Sequence, residues 1–457
     1  MKRDVFRVDM LGGSMVKNLL IFALPLIATS IMQVLYNAAD MMAAGQYCGK
    51  TALAAIGATT TFYNLVVNMI VGIAAGVGVV VAQQFGGDRR DDLSDTVHTS
   101  AILSLIVGVV VAVAGVIFAP GVLSFLDTPK EILPQATLYL RILFAGIPAL
   151  VIYNFGAAIL RSVGDNKSPF LFLALSTISN FTLNFVAVLG FKMGIAGIAV
   201  ATVVSQCIPA ALVWISLLKT HEYYYFSFKE LRFVGARAAD TLKIGIPTGL
   251  QAALFNVANL VMQTQFNKLG TDYIASNSAC NGIENIIYTA LTAMSQAVLV
   301  FAGQNVGAGL ILRLKKLFWV GGSMSMSVGI VAGVFVVIFR IPLLNIFTND
   351  PDVLPLAESR LVLVSLTVFV HGLYESSLSI VRGMGYSLAP MLCAIFGICV
   401  FRIVWVFFIF PLMPTYLMLV AIWPISQAVT GIAESVLFFY YFKKVKQKAG
   451  ANLPAEA

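Results

Sequence analysis

The sequence predicts an all-α polytopic membrane protein, with twelve transmembrane helices in two six-helix bundles related by pseudo-twofold symmetry. Three observations predict it. First, 59% of the 457 residues are hydrophobic and only 11% are charged, with a mean hydropathy of +0.90; soluble domains carry roughly 25% charge and about 45–50% apolar residues. Second, the apolar residues fall in long unbroken runs, near the ~20 residues a helix needs to cross a bilayer. Third, the two halves of the chain resemble each other at an offset of about 220 residues. This composition excludes a water-soluble enzyme, a disordered chain and a coiled coil. A porin-like barrel would show short alternating segments instead.

In chain order, the runs between charged or turn-rich breaks are 18–43, 53–83, 97–119, 132–160, 169–190, 194–218, 242–267, 273–303, 317–340, 356–381, 389–411 and 416–442. Several are long enough to require tilt or protrusion into water. The first follows Lys2, Arg3 and Arg7, as a signal peptide would. It is too long for such a segment and lacks a clear cleavage site, so it reads as span 1. Pro25 in span 1 and Pro247 in span 7 occupy equivalent places. A mid-helix proline removes a backbone hydrogen bond and kinks the helix, so Pro25 is either a hinge or a static bend. The Gly-rich run Gly72–Gly78 in span 2 has no following Lys-Ser/Thr. It suits close helix approach rather than phosphate binding. The five cysteines, Cys48, Cys207, Cys280, Cys393 and Cys399, match neither a metal site nor a disulfide framework and read as packing residues.

The formal charge of +8 points to anionic lipid rather than nucleic acid, because the basic residues sit in loops between apolar runs. Tallied on alternate sides, the Lys and Arg residues divide 21 to 6, with Arg141 and Arg402 inside spans and Arg360 counted on the poorer side. The bias places both termini in the cytoplasm of a plasma membrane, a bacterial inner membrane by expectation. The chain then divides into an N-terminal six-helix bundle (1–218), a charged and aromatic cytoplasmic linker at the lipid surface (219–239), a C-terminal six-helix bundle (240–443) and a tail (444–457).

The internal repeat is collinear. Ala82-Gln83-Gln84-Phe85-Gly86-Gly87 matches Ala302-Gly303-Gln304-Asn305-Val306-Gly307, and Arg161 with Gly164 and Pro169 matches Arg382 with Gly385 and Pro390. Tyr153 and Tyr374 each precede their arginine by eight residues, and Ser205-Gln206 matches Ser426-Gln427. Six spans per repeat is an even number, so both repeats enter the membrane in one orientation and are related by an axis along its normal. Such a pair with a polar cleft suits alternating access.

These motifs, with Leu24-Pro25 and the 6+6 repeat, give a pattern that resembles the multidrug and toxic compound extrusion family. That family belongs to a superfamily that also holds lipid-linked-oligosaccharide flippases. The resemblance spans roughly residues 15–442 and implies a secondary antiporter that exports organic cations in exchange for H⁺ or Na⁺. Within the family, the chain resembles the DNA-damage-inducible (DinF-like) branch. Asp40 in span 1 matches that branch's acidic residue, and Asn180 and Thr202 match its polar partners, which also makes these three the place for Na⁺. Asn184 stands where the branch carries a second acid. The other branch uses acids in spans 7 and 10, where Asn256 and His371 stand here.

Residue by residue, Asp40 is the sharpest polar signal. It is the only charge between Lys17 and Lys50, and an ionised carboxylate within a span costs at least ~2.5–3.5 kcal/mol. Tyr36 and Asn37 share its helix face. The plain alternative is a helix end wetted from outside. Asn180 and Asn184 form one stripe on span 5, and Thr202 and Gln206 another on span 6. Together they offer oxygen ligands to a cation or hydrogen bonds to Asp40, or else simple interhelical bonding. With a single carboxylate, a proton is favoured over Na⁺. Tyr139 and Asn154 on span 4 are placed in the same lobe. The C-terminal bundle holds Glu284, His371, Glu375, Arg402 and Glu434. Arg402 requires an acid partner, with Glu284 or Glu375 as the candidates. The group is either a structural ion pair or a substrate-cation or second proton site, and His371 beside Glu375 is a candidate pH-sensitive pair.

No nucleotide-binding, nucleophile-elbow or zinc motif is present, so no cofactor is expected and the energy comes from an ion gradient. The expected partners are small organic cations and the lipid bilayer, with no nucleic acid, and the expected state is a monomer. A lipid-linked oligosaccharide flippase of the same superfamily is the first alternative, but it would be expected to present a strongly basic cleft. A membrane-embedded enzyme is the second, and would need clustered catalytic groups near an interface.

Overall fold

The computed structural model describes residues 7–413 and 415–451. They are helical throughout, apart from turns and one antiparallel bridge between Arg7 and Asp165. The first membrane element, Met15–Gly86, runs 72 residues. As one straight helix it would extend ~108 Å, over three times the ~30 Å hydrocarbon core. It therefore crosses twice. A π-wound turn at Ala44–Cys48 and then Gly49, with φ 85°, divide it into α1 (Met15–Ala43) and α2 (Gly49–Gly86). Glycine enters that region of φ at no steric cost.

Next come α3 (Arg90–Phe125), α4 (Leu133–Ser162), α5 (Lys167–Phe185) with a π-wound extension over Val186–Gly190, and α6 (Gly194–Lys219). The second half begins with α7 (Gly235–Leu269), α8 (Thr271–Gly307), α9 (Ile311–Ile338) and the short α10 (Arg340–Leu344). Then α11 (Val353–Thr367) and α12 (Phe369–Gly383) meet at a 44° bend. The next span is α13 (Leu388–Ala394) and α14 (Phe401–Val404), with π-wound turns at Ile395–Val400 and Trp405–Ile409. The described chain closes with α15 (Tyr416–Val420) and α16 (Ile422–Ala451).

Among the described residues, ten helices are long and apolar enough to span, and the bent α11–α12 pair makes eleven. Division of the first element at Gly49 brings the number to the expected twelve. Two spans differ from the straight helices the apolar runs suggest. Span 10 is broken at Val368, and span 11 is interrupted by two π-wound stretches; hydropathy registers apolar length and is blind to both. The outward faces are apolar, as a hydrocarbon solvent requires: Val110, Ile117 and Phe118 on α3 and Val331 and Ile338 on α9 are all exposed.

The helices form two compact units. One holds Ala28–Gly249 with Arg7 and Val8, and the other holds Asp9–Ile27 with the described residues from Leu250 onward. The divisions fall inside α1, two residues after Pro25, and inside α7, two residues after Pro247.

In the first unit, α3, α4 and α6 share a core that includes Leu103, Phe144, Ile147, Phe155 and Val213. The glycine run of α2 lies against the start of α7. A Cβ at Gly76 would come within 2.4 Å of the Thr241 carbonyl oxygen and 2.7 Å of the Gly245 nitrogen. Backbones this close leave no room for a side chain. The segment after α6 is held down by polar bonds. The Ser227 N–H donates to His98 Nε2 and the Val234 N–H to Thr99 Oγ1, both at 3.1 Å. Arg232 pairs with Asp95, and Arg237 with Asp92 at 2.6 Å. Tyr224 and Phe226 are buried beside them while Phe228 stays exposed. In the second unit, α8, α9 and α11 pack around Ile283, Ile287, Leu291 and Leu361. A further apolar cluster joins Met262 and Phe266 of α7 to Trp405, Tyr416 and Leu419.

Candidate functional site

Asp40 lies near the C-terminal end of α1, one turn before the π-wound stretch, and is only 6% exposed. Asp40 is thus enclosed by protein on most sides rather than standing free at a helix end. Its carboxylate accepts three bonds from two other helices. From α5, Asn184 Nδ2 donates to Oδ1 at 2.7 Å and Asn180 Nδ2 to the same oxygen at 3.1 Å. From α6, Thr202 Oγ1 donates to Oδ2 at 2.9 Å. The i, i+4 spacing of the two asparagines puts both amides on one face of α5. A buried charge survives only when it is paired or well hydrogen-bonded; here all three donors are neutral. The Asn184 carbonyl oxygen is buried with no hydrogen-bond partner among the described residues. One helical turn before Asp40, the Tyr36 hydroxyl bonds Ser205 Oγ and donates to the Thr202 carbonyl at 3.0 Å. This ties α1 to α6.

Asp40 opens onto a cavity of about 370 Å³ within the first unit. Tyr36, Asn37, Tyr139, Asn154, Thr202 and Gln206 line it, and so do Gln33, Tyr63, Asn64, Asn68 and Tyr153. Asp40 is the only charged residue among those lining it. Asn180 and Asn184 do not line it; they stand behind the carboxylate. The α2 wall was missed in the sequence, although its signal is visible. Thr60, Asn64 and Asn68 recur at i+4 along an otherwise apolar helix, a polar stripe of the kind that lines interiors.

The second unit is arranged differently from expectation. Glu284 is not the partner of Arg402. It pairs with Arg360, whose Nε and Nη2 donate to its two oxygens at 3.1 and 3.0 Å. Arg360 also bonds Asn281 at 2.7 Å, as well as Asn277, and its side chain is fully buried. Counting Arg360 as a loop residue was thus an error. It lies near the start of its apolar run, and only a structure reveals that it turns inward. Arg402 has no acid partner among the described residues. It donates to Asn259 Oδ1 at 3.1 Å and Ser426 Oγ at 3.2 Å and lies over the Trp423 ring at 5.2 Å. Neutral acceptors and an aromatic face meet the needs of a guanidinium without a carboxylate.

His371 and Glu375 form no ion pair. The His371 ring stands edge-on to Tyr288 and Tyr374, with centroids at 4.8 and 5.6 Å, and neither nitrogen has a hydrogen-bond partner among the described residues. Asn256 spends its amide on its own helix, donating to the Ala252 carbonyl at 3.1 Å. No group of three His, Cys, Asp or Glu side chains able to hold a metal occurs among the described residues. Pro25 sits within an unbroken α1.

Comparison with known proteins agrees with this organisation. The family model MatE matches residues 25–186 and again residues 247–408. The two matches begin at Pro25 and Pro247, one in each repeat. The chain is 26% identical over 389 residues to "Probable multidrug resistance protein YoeA" of Bacillus subtilis (strain 168), covering 84% of each protein. It is 23% identical over 400 residues to "Probable multidrug resistance protein NorM" of Thermotoga maritima, covering 85% of this chain and 84% of the relative. A "FAD transporter" of Shewanella oneidensis is 25% identical over 310 residues, covering 67% of this chain and 69% of the relative. Among solved structures, "Crystal structure of MATE in the bent conformation" superposes with a TM-score of 0.88 at 20% identity, over 97% of this chain and 99% of that one. With the family model covering most of its length in two successive copies, this chain belongs to the multidrug and toxic compound extrusion (MATE) family of membrane transporters.

Proposed function

We propose that the protein is a secondary antiporter of the plasma membrane that exports small organic cations in exchange for H⁺, with Asp40 as the coupling group. The observation that carries this reading is the cavity: it holds a single carboxylate, supported only by neutral donors and faced by four tyrosine side chains. One negative charge can be neutralised in two ways, by a proton on Asp40 or by a cation in the cavity. The two compete, and competition across two accessible sides is antiport. The tyrosine faces add attraction for an organic cation, roughly 0.5–2 kcal/mol per ring.

Na⁺ at Asp40, Asn180 and Thr202 is a weaker reading. With one carboxylate in the cavity, a hard cation would have to shed its water against a single negative charge, whereas a proton is held covalently. An anionic cargo, as the name of the Shewanella relative would suggest, meets Asp40 and no basic side chain in this cavity. The same argument weighs against a lipid-linked pyrophosphate. The names of the curated relatives support a transporter rather than an enzyme. Pro25 is proposed as the place where α1 bends during the cycle, supported by the unit division two residues later. The monomer is the proposed working form, with both termini in the cytoplasm.

The test is ethidium efflux from proteoliposomes under an imposed pH gradient or a Na⁺ gradient alone. Efflux driven by the pH gradient is expected. Equal efflux driven by Na⁺ alone would overturn the proton assignment.

A further inference from the structure

The second unit contains a carboxyl that the proposed cycle does not use. Glu434 on α16 is completely buried, and neither of its oxygens has a hydrogen-bond partner among the described residues. The titratable groups facing it come from two elements: Arg382, Glu375 and Tyr374 on α12, and Cys393 on α13. Helix α9 also packs against α12 and α16, and it carries no charged residue from 317 to 338. One turn along α16, Phe438 stacks on Phe318 at 4.4 Å and closes that side with apolar surface. The cluster therefore holds one guanidinium and two carboxyls. The guanidinium is only partly engaged elsewhere: Arg382 Nη2 donates to Gln251 Oε1 at 2.6 Å, its Nε has no hydrogen-bond partner among the described residues, and its charge acts on both glutamates without closing into an ion pair. The nearest donor to Glu434 is the Cys393 thiol, a weak one, and a buried carboxylate so poorly supported is far costlier than its neutral acid.

The repeat shows that these acids are not there simply to accompany the arginine. Arg161 is the counterpart of Arg382, and Tyr153 of Tyr374. At the same offset, Asn154 stands in place of Glu375 and Val213 in place of Glu434. The first unit thus folds around its arginine with an amide and an aliphatic side chain at those positions.

We propose that Glu434 and Glu375, beside Arg382, form a proton-binding site of the second unit, separate from Asp40, in which the two carboxyls together retain one proton. Binding is simple protonation: a carboxylate oxygen takes a proton from water and gives it back, with no other bond changed. Glu375 is the less buried of the two and is the side from which the proton exchanges. The assignment does not depend on the reading of Asp40.

The test is infrared difference spectroscopy of the purified full-length protein between acid and alkaline pH, read at the C=O stretch of protonated carboxyl groups and repeated in D₂O. Wild type, Asp40→Asn, Glu434→Gln and Glu375→Gln are compared. A protonated-carboxyl band that survives in Asp40→Asn and disappears in Glu434→Gln is expected, with its titration displaced in Glu375→Gln. If Glu434→Gln leaves every such band in place, the site does not exist. Should Glu434→Gln fail to fold, Arg382→Gln decides: the band must persist to higher pH without the guanidinium, and an unmoved band overturns the proposal. Replacing choline chloride with NaCl must leave the titration unchanged. A Na⁺-dependent midpoint would overturn the identification of the ligand as a proton.

Discussion

Replacing Asp40 by asparagine removes the charge while keeping the local bonding intact. In Asp40→Asn the amide oxygen takes the place of Oδ1 and still accepts from Asn180 and Asn184, now bonded at 3.1 and 2.7 Å. The new amide nitrogen faces Thr202 Oγ1, which has a second acceptor available in the Ile198 carbonyl at 2.9 Å. The hydroxyl turns its proton there and accepts from the new amide, so no buried polar group is stranded. The expected change in stability is under about 1 kcal/mol, the scale of a single exchanged hydrogen bond. Asp40→Ala behaves differently. It takes the acceptor from the Asn180 amide and leaves Asn184 with only its 3.3 Å bond to Asn180 Oδ1, at roughly 1–3 kcal/mol for a stranded buried donor, and should lower the apparent melting temperature measurably. Both variants should lose efflux driven by a pH gradient in proteoliposomes, because neither can carry the coupling proton. Melting in detergent and ethidium efflux on the same preparations check the pair. An Asp40→Asn protein that still exchanges with the pH gradient would refute the coupling role. One that melts far below wild type would refute the account of the bonding.

Four further outcomes follow from the packing and the cavity lining. Glu284→Ala leaves the buried Arg360 guanidinium with two amides and the Phe266 and Trp423 rings but no counter-charge. Losing one member of a buried pair costs about 3–5 kcal/mol, so the yield of monodisperse protein should collapse, and Glu284→Gln should recover part of it. Gly76→Val forces a side chain into backbone 2.4 Å away; such overpacking costs at least about 1–3 kcal/mol. Gly121→Ala, where nothing lies within 4 Å, should melt like wild type. Tyr139→Leu keeps apolar volume beside the cavity but removes an aromatic face. It should weaken ethidium binding, measured by fluorescence anisotropy, by a factor of roughly 2–30, with little change in melting.

The membrane fold was legible because hydrocarbon imposes long apolar runs, and the repeat survived in short motifs such as Arg161 and Arg382 with their following glycines. The contact of Asp40 with Asn180, Asn184 and Thr202 was legible only in part. Spacing placed the two asparagines on one face of a helix, but the meeting of α1, α5 and α6 rested on family resemblance. The partners in the second unit were not legible at all. Arg360 and Arg402 both lie in apolar runs, and composition cannot say which one turns toward Glu284. Nor does hydropathy register the bend at Val368 or the π-wound turns around Arg402, since winding changes which way a side chain faces without changing how apolar the segment is.

The solitary charge of the Asp40 cavity also determines how membrane voltage enters the exchange. A lobe carrying either one proton or one monovalent cargo is neutral both ways, so a one-for-one swap moves no net charge and draws only on the proton concentration difference. If the glutamate pair on α12 and α16 discharges in the same cycle, two protons enter for each cation that leaves. The membrane potential then adds about 2.3 kcal/mol per 100 mV for each elementary charge, and the exchange as a whole becomes electrogenic.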